Sequence, residues 1–251
     1  MRFPFRLTDS QWEAVKTFLP WQRRRKYPAR TVLTAMLYVA RTGCQWRQLP
    51  DCFPPWQTVY YYFRRWTRSG AWSRAMQALA ERVRTAQGKA AEPSAAVVDS
   101  QSVRTAAGVS SDKGWDGAKK LFGRKRHLAT DTGGLPLAVR VSSARVSDRE
   151  GLWLLATRLR TLPLRVLFAD SAYRGIRLLD GVDTVVVNRR TGGGAARFVP
   201  VPKRWVVERT FGWLSHWRRL ARDYEKRSDC AQAFVQLALV AIMARRIRSE
   251  T

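Results

Sequence analysis

The spacing of apolar positions changes character about ninety residues into the chain. Up to there, apolar residues recur every three or four places, the period of a helix with one buried face. Thr8 with Gln11 has the spacing of a capping box, and Trp12, Val15, Phe18 and Leu19 follow as a stripe. Pro20 and the run Arg23, Arg24, Arg25, Lys26 close that helix. A second helix is predicted over Ala29 to Thr42, with Val32, Ala35, Met36 and Val39 inward and Gly43 as its stop. Gln45 to Leu49 fits one short turn. Pro54 and Pro55 open a third helix, Trp56 to Ser69, with Trp56, Val59, Tyr60, Phe63 and Trp66 inward. A fourth helix runs from about Ala71 to Thr85.

Ala86 to Ala96 is small, polar and proline-containing, and reads as a linker. Beyond it the pattern becomes strand-like. AAVVDS, carrying Asp99, is a short buried strand. GRKRHLATDT and LPLAVRVSSA flank Gly133 and Gly134 as a hairpin. Asp148 to Leu162 is a helix with Asp148 as its N-cap, and LRVLFAD is a second buried strand ending at Asp170. A helix, a strand over Asp183 to Asn188, and helices over Arg204 to Leu220 and Ala231 to Ile247 complete the order. The fold class is α/β. An all-helical region over residues 1–90 precedes a mixed-sheet domain over 91–251. Right-handed crossovers put the ends of parallel strands on one rim, so Asp99 and Asp170 meet if their strands are neighbours.

Charge changes the picture. Lys and Arg total 46 against 19 acids, a formal charge of +27 over 251 residues. Such an excess implies a polyanionic partner, nucleic acid before an anionic membrane surface. The helix, short turn and helix near the front resemble a helix-turn-helix, with Gln57, Thr58, Tyr61, Tyr62, Arg64, Arg65 and Arg68 off the apolar stripe of the third helix. A plain helical bundle with a basic face is the other reading. Lys119, Lys120, Arg124, Lys125, Arg126 and His127 form a basic run expected to grip DNA phosphates. The 11 tryptophans suit either a core or stacking on bases. Three cysteines without paired spacing, and two histidines, argue against disulfides and zinc. The first residues lack a signal-peptide core, and the apolar stretch Ala231 to Ala244 is too short to span a membrane. The expectation is a soluble, cytoplasmic protein.

Acids gathered in so basic a chain call for a cation between them. Asp99, Asp170 and Glu208, the last on a helix rich in Arg and Trp, make an Asp–Asp–Glu set of the RNase H-like nuclease pattern. Mg²⁺ takes hard oxygen ligands and leaves positions for phosphate oxygens. Two such ions about 4 Å apart clamp an in-line phosphoryl displacement without any histidine or cysteine. Asp131, beside the hairpin turn, reads as structural, and Glu225 as a partner of Arg222.

The motifs DSQSVRT, GRKRH, ARVSDREG, ADSAYRG and RWVVERTFGWLSHWRRLARDYE occur in that order. They resemble those of bacterial insertion-sequence DDE transposases, the insertion-sequence-five family above all. LTDSQWEAVKTFLP and TGCQWRQLPDCFPPWQTVYYYFRRW extend the resemblance to the front of the chain. It implies Asp99, Asp170 and Glu208 as the metal-binding triad, with Mg²⁺ as cofactor and Mn²⁺ as a substitute in vitro. It also implies terminal inverted repeats and target DNA as partners, bound by a homodimer on paired ends. The interval from Asp170 to Glu208 is too short for the β-rich insertion that some relatives carry. Of the related Tyr–Arg–Glu–Lys signature, Arg204 and Glu208 fit, whereas Val201 and Ser215 stand at the tyrosine and lysine positions. Lys203, Arg218 and Arg219 are the nearby basic substitutes. The rival readings are a non-cutting DNA-binding regulator derived from a transposase, and a basic nucleic-acid-packaging protein.

Overall fold

The computed structural model describes residues 7–21, 26–109, 111–175, 181–186 and 205–247. Four helices come first: α1 (Asp9–Lys16), α2 (Ala29–Thr42), α3 (Trp56–Arg68) and α4 (Ala71–Ala86). Thr8 caps α1 in a reciprocal capping box with Gln11, and Gly43 ends α2 in the left-handed conformation (φ +75°). A 3₁₀ turn, Trp46–Gln48, lies between α2 and α3.

The sheet is built from β1 (Ala95–Arg104), β2 (Gly114–Asp116), β3 (Leu121–Asp131), β4 (Pro136–Ser143), β5 (Val166–Ala169) and β6 (Asp183–Val186). β3 runs antiparallel to β1, β2 and β4. On the other side of β1, β5 and then β6 are parallel to it. The sheet is therefore mixed, with an antiparallel half and a parallel half meeting at β1. The β3–β4 turn rests on Asp131, which is fully buried, accepts from the N–H groups of Gly133 and Leu135 at 2.8 Å, and pairs with Arg84 of α4. Asp131 is structural, as the sequence suggested.

Helices cover both faces. α5 (Asp148–Leu159) lays Leu152, Leu155 and Leu159 against Ala96, Val98 and Ala129 on one face. α6 (Trp205–Ser215) and α7 (Ser228–Ala244) cover the other, where Val97 and Leu128 meet Val207, Phe211 and Leu214. α7 is buried nearly all round because α1 to α4 pack onto it from outside, so one core runs from Val15 and Trp66 through Phe234 to Val97.

Several boundaries differ from expectation. β1 runs on to Arg104, so Asp99 sits mid-strand instead of ending it. β2 was not anticipated. The N-cap of α5 is Ser147, with Asp148 in the first turn. The helix expected over Arg204 to Leu220 breaks after Ser215 and resumes as a 3₁₀ turn, Arg218–Leu220. Between β5 and β6 the described residues contain only the 3₁₀ turn Ser171–Tyr173. Arg23, Arg24, Arg25, Asn188, Val201, Lys203 and Arg204 lie outside the described residues.

Candidate active site

The register of β1 and β5 brings two of the three acids together. Val97 stands opposite Phe168, so two residues on, Asp99 falls level with Asp170. Side chains alternate along a strand, which puts both carboxylates on the face that carries Val97 and Phe168. That is the face covered by α6 and α7. The Asp99 carboxylate accepts from the Ser100 N–H at 2.8 Å, and that of Asp170 caps the following turn by accepting from the Ala172 N–H at 2.9 Å. Glu208 lies exposed in the first turn of α6, where the helix dipole favours a negative charge. α6 is held against β1 and β3 by Val207, Phe211 and Leu214. All three acids are thus on one side of the sheet. Among the described residues, no three acidic, histidine or cysteine side chains converge tightly enough to form a ready-made metal cluster.

The basic run ahead of the hairpin divides in two. Lys119 and Lys120 are exposed at the β2–β3 turn, beside exposed Trp115 and Phe122. Arg124, Lys125 and Arg126 lie within β3 and are buried, so of the run only Lys119 and Lys120 stand on the exposed surface. Arg124 donates to Asp223 at 3.0 Å and to the carbonyls of Ser111 and Glu225. Lys125, on the opposite face, donates to Asp148 at 3.0 Å and faces Asp116. Arg126 donates to Gln101 Oε1 at 3.3 Å and to the Leu220 carbonyl at 2.8 Å. His127 points its Nε2 at Ser142, and burial first, then the Lys125 charge, lower its pKa to about 4.

The third helix is corrected in the same way. Tyr62 and Arg64 are buried, with Arg64 bound to Asp229 at 3.0 Å and to Cys230 Sγ, while Arg65 is half-buried and Arg68 exposed. Arg218 is exposed. Arg219 is buried against Glu225, its guanidinium donating at 2.7–2.8 Å, so Glu225 pairs with Arg219 and not with Arg222. A feature unmarked by the sequence reading is a cation–π ladder on α6. The Arg209 guanidinium lies 4.5 Å from the Trp205 ring and 4.8 Å from Trp213, and Arg246 lies 4.1 Å from Trp213. Its signal was the spacing Trp205, Arg209, Trp213, one helical turn apart. The tryptophans divide by position: Trp66 and Trp72 are core, and Trp115, Trp153 and Trp205 are exposed.

The donor set suits a hard divalent cation, since two carboxylates come level on adjacent strands with no thiol or imidazole beside them in register. Acids abreast on parallel strands, with an antiparallel hairpin beyond, define a domain of the DDE transposase class, which has an RNase H-like fold. Comparison with known proteins agrees. Residues 90–192 and 198–243 match the family described as "Transposase DDE domain", and residues 7–76 match "Putative transposase of IS4/5 family". The chain belongs to the DDE transposase family of bacterial insertion sequences, in its IS4/5 group. It is 39% identical over 136 residues to "Putative transposase for insertion sequence element IS402" of Burkholderia cepacia, covering 48% of this chain and 62% of that protein. It is 33% identical over 78 residues to "Uncharacterized protein y4sN" of Sinorhizobium fredii, covering 30% of this chain and 62% of that protein. The matches thus span about 62% of the length of these two relatives. No solved structure matches the chain.

Proposed function

We propose that this chain cuts DNA at the ends of an insertion sequence and joins those ends to target DNA. The observation that carries the proposal is the register of β1 with β5. It sets Asp99 beside Asp170 on the sheet face where α6 brings Glu208. These carboxylates are the groups that would hold Mg²⁺ or Mn²⁺. Bound there, the cation would activate water or a 3′-hydroxyl and stabilise the charge leaving the phosphate. Asp99 and Asp170, fixed by backbone N–H donors, need little reorganisation to bind. Glu208, at the start of a helix, would complete the set as DNA draws α6 and the sheet together. The cut would hydrolyse a phosphodiester to a 3′-hydroxyl and a 5′-phosphate, and the joining step would exchange one phosphodiester bond for another, so neither needs a covalent link to the protein.

The surrounding cations would position the DNA. The first ninety residues would supply the recognition surface, with half-buried Arg65 and exposed Arg68 on α3 in a helix-turn-helix-like arrangement. Lys119 and Lys120 would hold phosphates from the β2–β3 turn, and Arg218 from beyond α6. Arg204 would add a further phosphate contact. Two protomers would bridge the paired ends, in the bacterial cytoplasm at the nucleoid. Among the described residues no helix is long and apolar enough to cross a membrane.

The test is incubation with end-labelled DNA from the flanks of the coding region, with Mg²⁺ and with EDTA. Mg²⁺-dependent nicks confined to the element's ends support the reading. End-specific binding without nicks under any divalent ion would point instead to a regulator that no longer cuts.

A further inference from the structure

Five arginines are buried among the described residues, and four of them have a carboxylate partner. Arg64 pairs with Asp229, Arg84 with Asp131, Arg124 with Asp223 and Arg219 with Glu225. Arg126 is the exception. It is 7% exposed, and its hydrogen bonds go to two neutral oxygens, those of Gln101 and Leu220. Asp223, whose charge reaches it, is committed to Arg124. Burial lowers the Arg126 pKa to about 10, which still leaves it charged at neutral pH. A buried cation facing only neutral oxygens is costly unless an anion comes to it.

Arg126 lines a cavity of about 400 Å³ that can admit one. Gln101, Arg104, Ser215 and Arg222 are also in its wall, and among the described residues no acid is. The volume lies within the range of small-molecule sites and would take a nucleotide-sized group. Its position relates it to the acids. Gln101 follows Asp99 by two residues on the same strand face, about 7 Å along β1. Ser215 ends the helix that carries Glu208. About 7 Å is two base-pair rises along the axis of B-form DNA, or about one phosphate-to-phosphate step along a strand.

We infer that this cavity is a phosphate-binding subsite, in which Arg126, with Arg104 and Arg222, holds a phosphate of the DNA strand about one or two nucleotides from the one being cut. The inference rests on the proposed nuclease reading only for the identity of the strand. The phosphate chemistry follows from the cavity itself. Arg126 is accordingly a positioning residue that fixes the register of the strand over Asp99 and Asp170.

The experiment uses the full chain in EDTA, so that binding is read apart from cutting. Wild type, Arg126→Gln and Arg222→Ala are compared by anisotropy with a 12-nucleotide single strand at two salt concentrations. They are also compared by thermal unfolding with that strand, with inorganic phosphate and with thymidine 5′-monophosphate. Arg126→Gln should bind the strand at least about tenfold more weakly, with a salt slope smaller by about 0.7. Its unfolding temperature without ligand should match or exceed that of wild type, because the lost cation had no carboxylate to strand; a merely structural arginine would lower it. Arg222→Ala, at an exposed position, should weaken binding about threefold and serves as the test if Arg126→Gln does not fold. If the oligonucleotide alone separates wild type from Arg126→Gln, the ligand is a backbone phosphate. If phosphate or the mononucleotide stabilises only wild type, it is a free phosphate compound. Wild-type affinity and salt slope in both variants, with no separation by either small probe, would overturn the subsite. Pocket-dependent binding in a protein that never nicks with Mg²⁺ would sink the nuclease reading alone. Nicking with an indifferent Arg126 would sink the subsite alone.

Discussion

At the scale of single residues, β3 organises the polar interior of the sheet. Strand alternation sends Arg124 and Arg126 to the face under α6 and α7, and Lys125 and His127 to the face under α5. Among the described residues His127 Nδ1 has no partner, and its ring is pressed against Gly151 of α5. A Cβ at Gly151 would lie 2.0 Å from His127 Nδ1, so Gly151→Ala should destabilise by about 1–3 kcal/mol through overpacking, measured by denaturant unfolding. His127 also sets a pH dependence. Its folded pKa of about 4 is below the ordinary 6.5, so between these values the unfolded chain binds the proton and the folded chain does not. Its contribution is complete above about pH 6.5 and is lost as pH falls toward 4, with a slope approaching about 1.4 kcal/mol per pH unit. His127→Gln should flatten that part of the stability profile, and equal slopes in wild type and variant would contradict the burial argument. None of this could be read from GRKRH, because the charges were visible and their partners were not. Arg124 answers to Asp223, 99 residues away in the chain.

At the scale of elements, what was legible depended on where the signal lies. The limits of α2 followed from local chemistry, a helix-period stripe and a glycine stop, and they match. The α/β order and both aspartate strands were readable from apolar runs. β1 extends beyond its apolar run, and its second half, SQSVR, is polar and has the composition of a loop. Those polar side chains point inward to partners: Ser100 donates to Asp148 at 2.6 Å, and Ser102 donates to Asp116. β2 escaped notice because three residues carry no period. It builds a hairpin with Trp115 opposite Phe122 and Lys119 and Lys120 at the turn, where Lys113 lies 5.5 Å from the Phe122 ring. Exposed aromatics among lysines suit a nucleic-acid surface. The double variant Lys119→Ala/Lys120→Ala should weaken DNA binding and reduce the salt slope by up to about 1.8, with unfolding temperature unchanged. Retention of the wild-type slope would remove the hairpin from the DNA path.

At the scale of the whole molecule, the core does not respect the compositional break near residue 90. α7 comes last in the described chain, yet it is buried between the sheet face and the first four helices. A fragment of residues 91–251 would uncover the side of α7 around Phe234 and Leu237, an apolar patch of the kind that drives association. Such a fragment should aggregate or melt without a cooperative transition, as judged by light scattering and calorimetry. A monomeric fragment with a sharp transition would show that the sheet domain stands alone.

The placement of Asp99, Asp170 and Glu208 on one face implies that chemistry and DNA affinity separate at the acids. The sequence suggested the triad, and the register supplied the reason two of its members meet. In the proposed reading Glu208 joins them as α6 settles on DNA, which no local pattern encodes. The direct measurement pairs the nicking rate on end-containing DNA in Mg²⁺ with the metal-free dissociation constant, for wild type and Glu208→Gln. Binding rests on Lys and Arg, while an acid in the cleft repels phosphate until a cation neutralises it. Glu208→Gln should therefore lose nicking by at least about a hundredfold and bind metal-free DNA as well as wild type or slightly better. Nicking near the wild-type rate would remove Glu208 from the catalytic set and contradict the account.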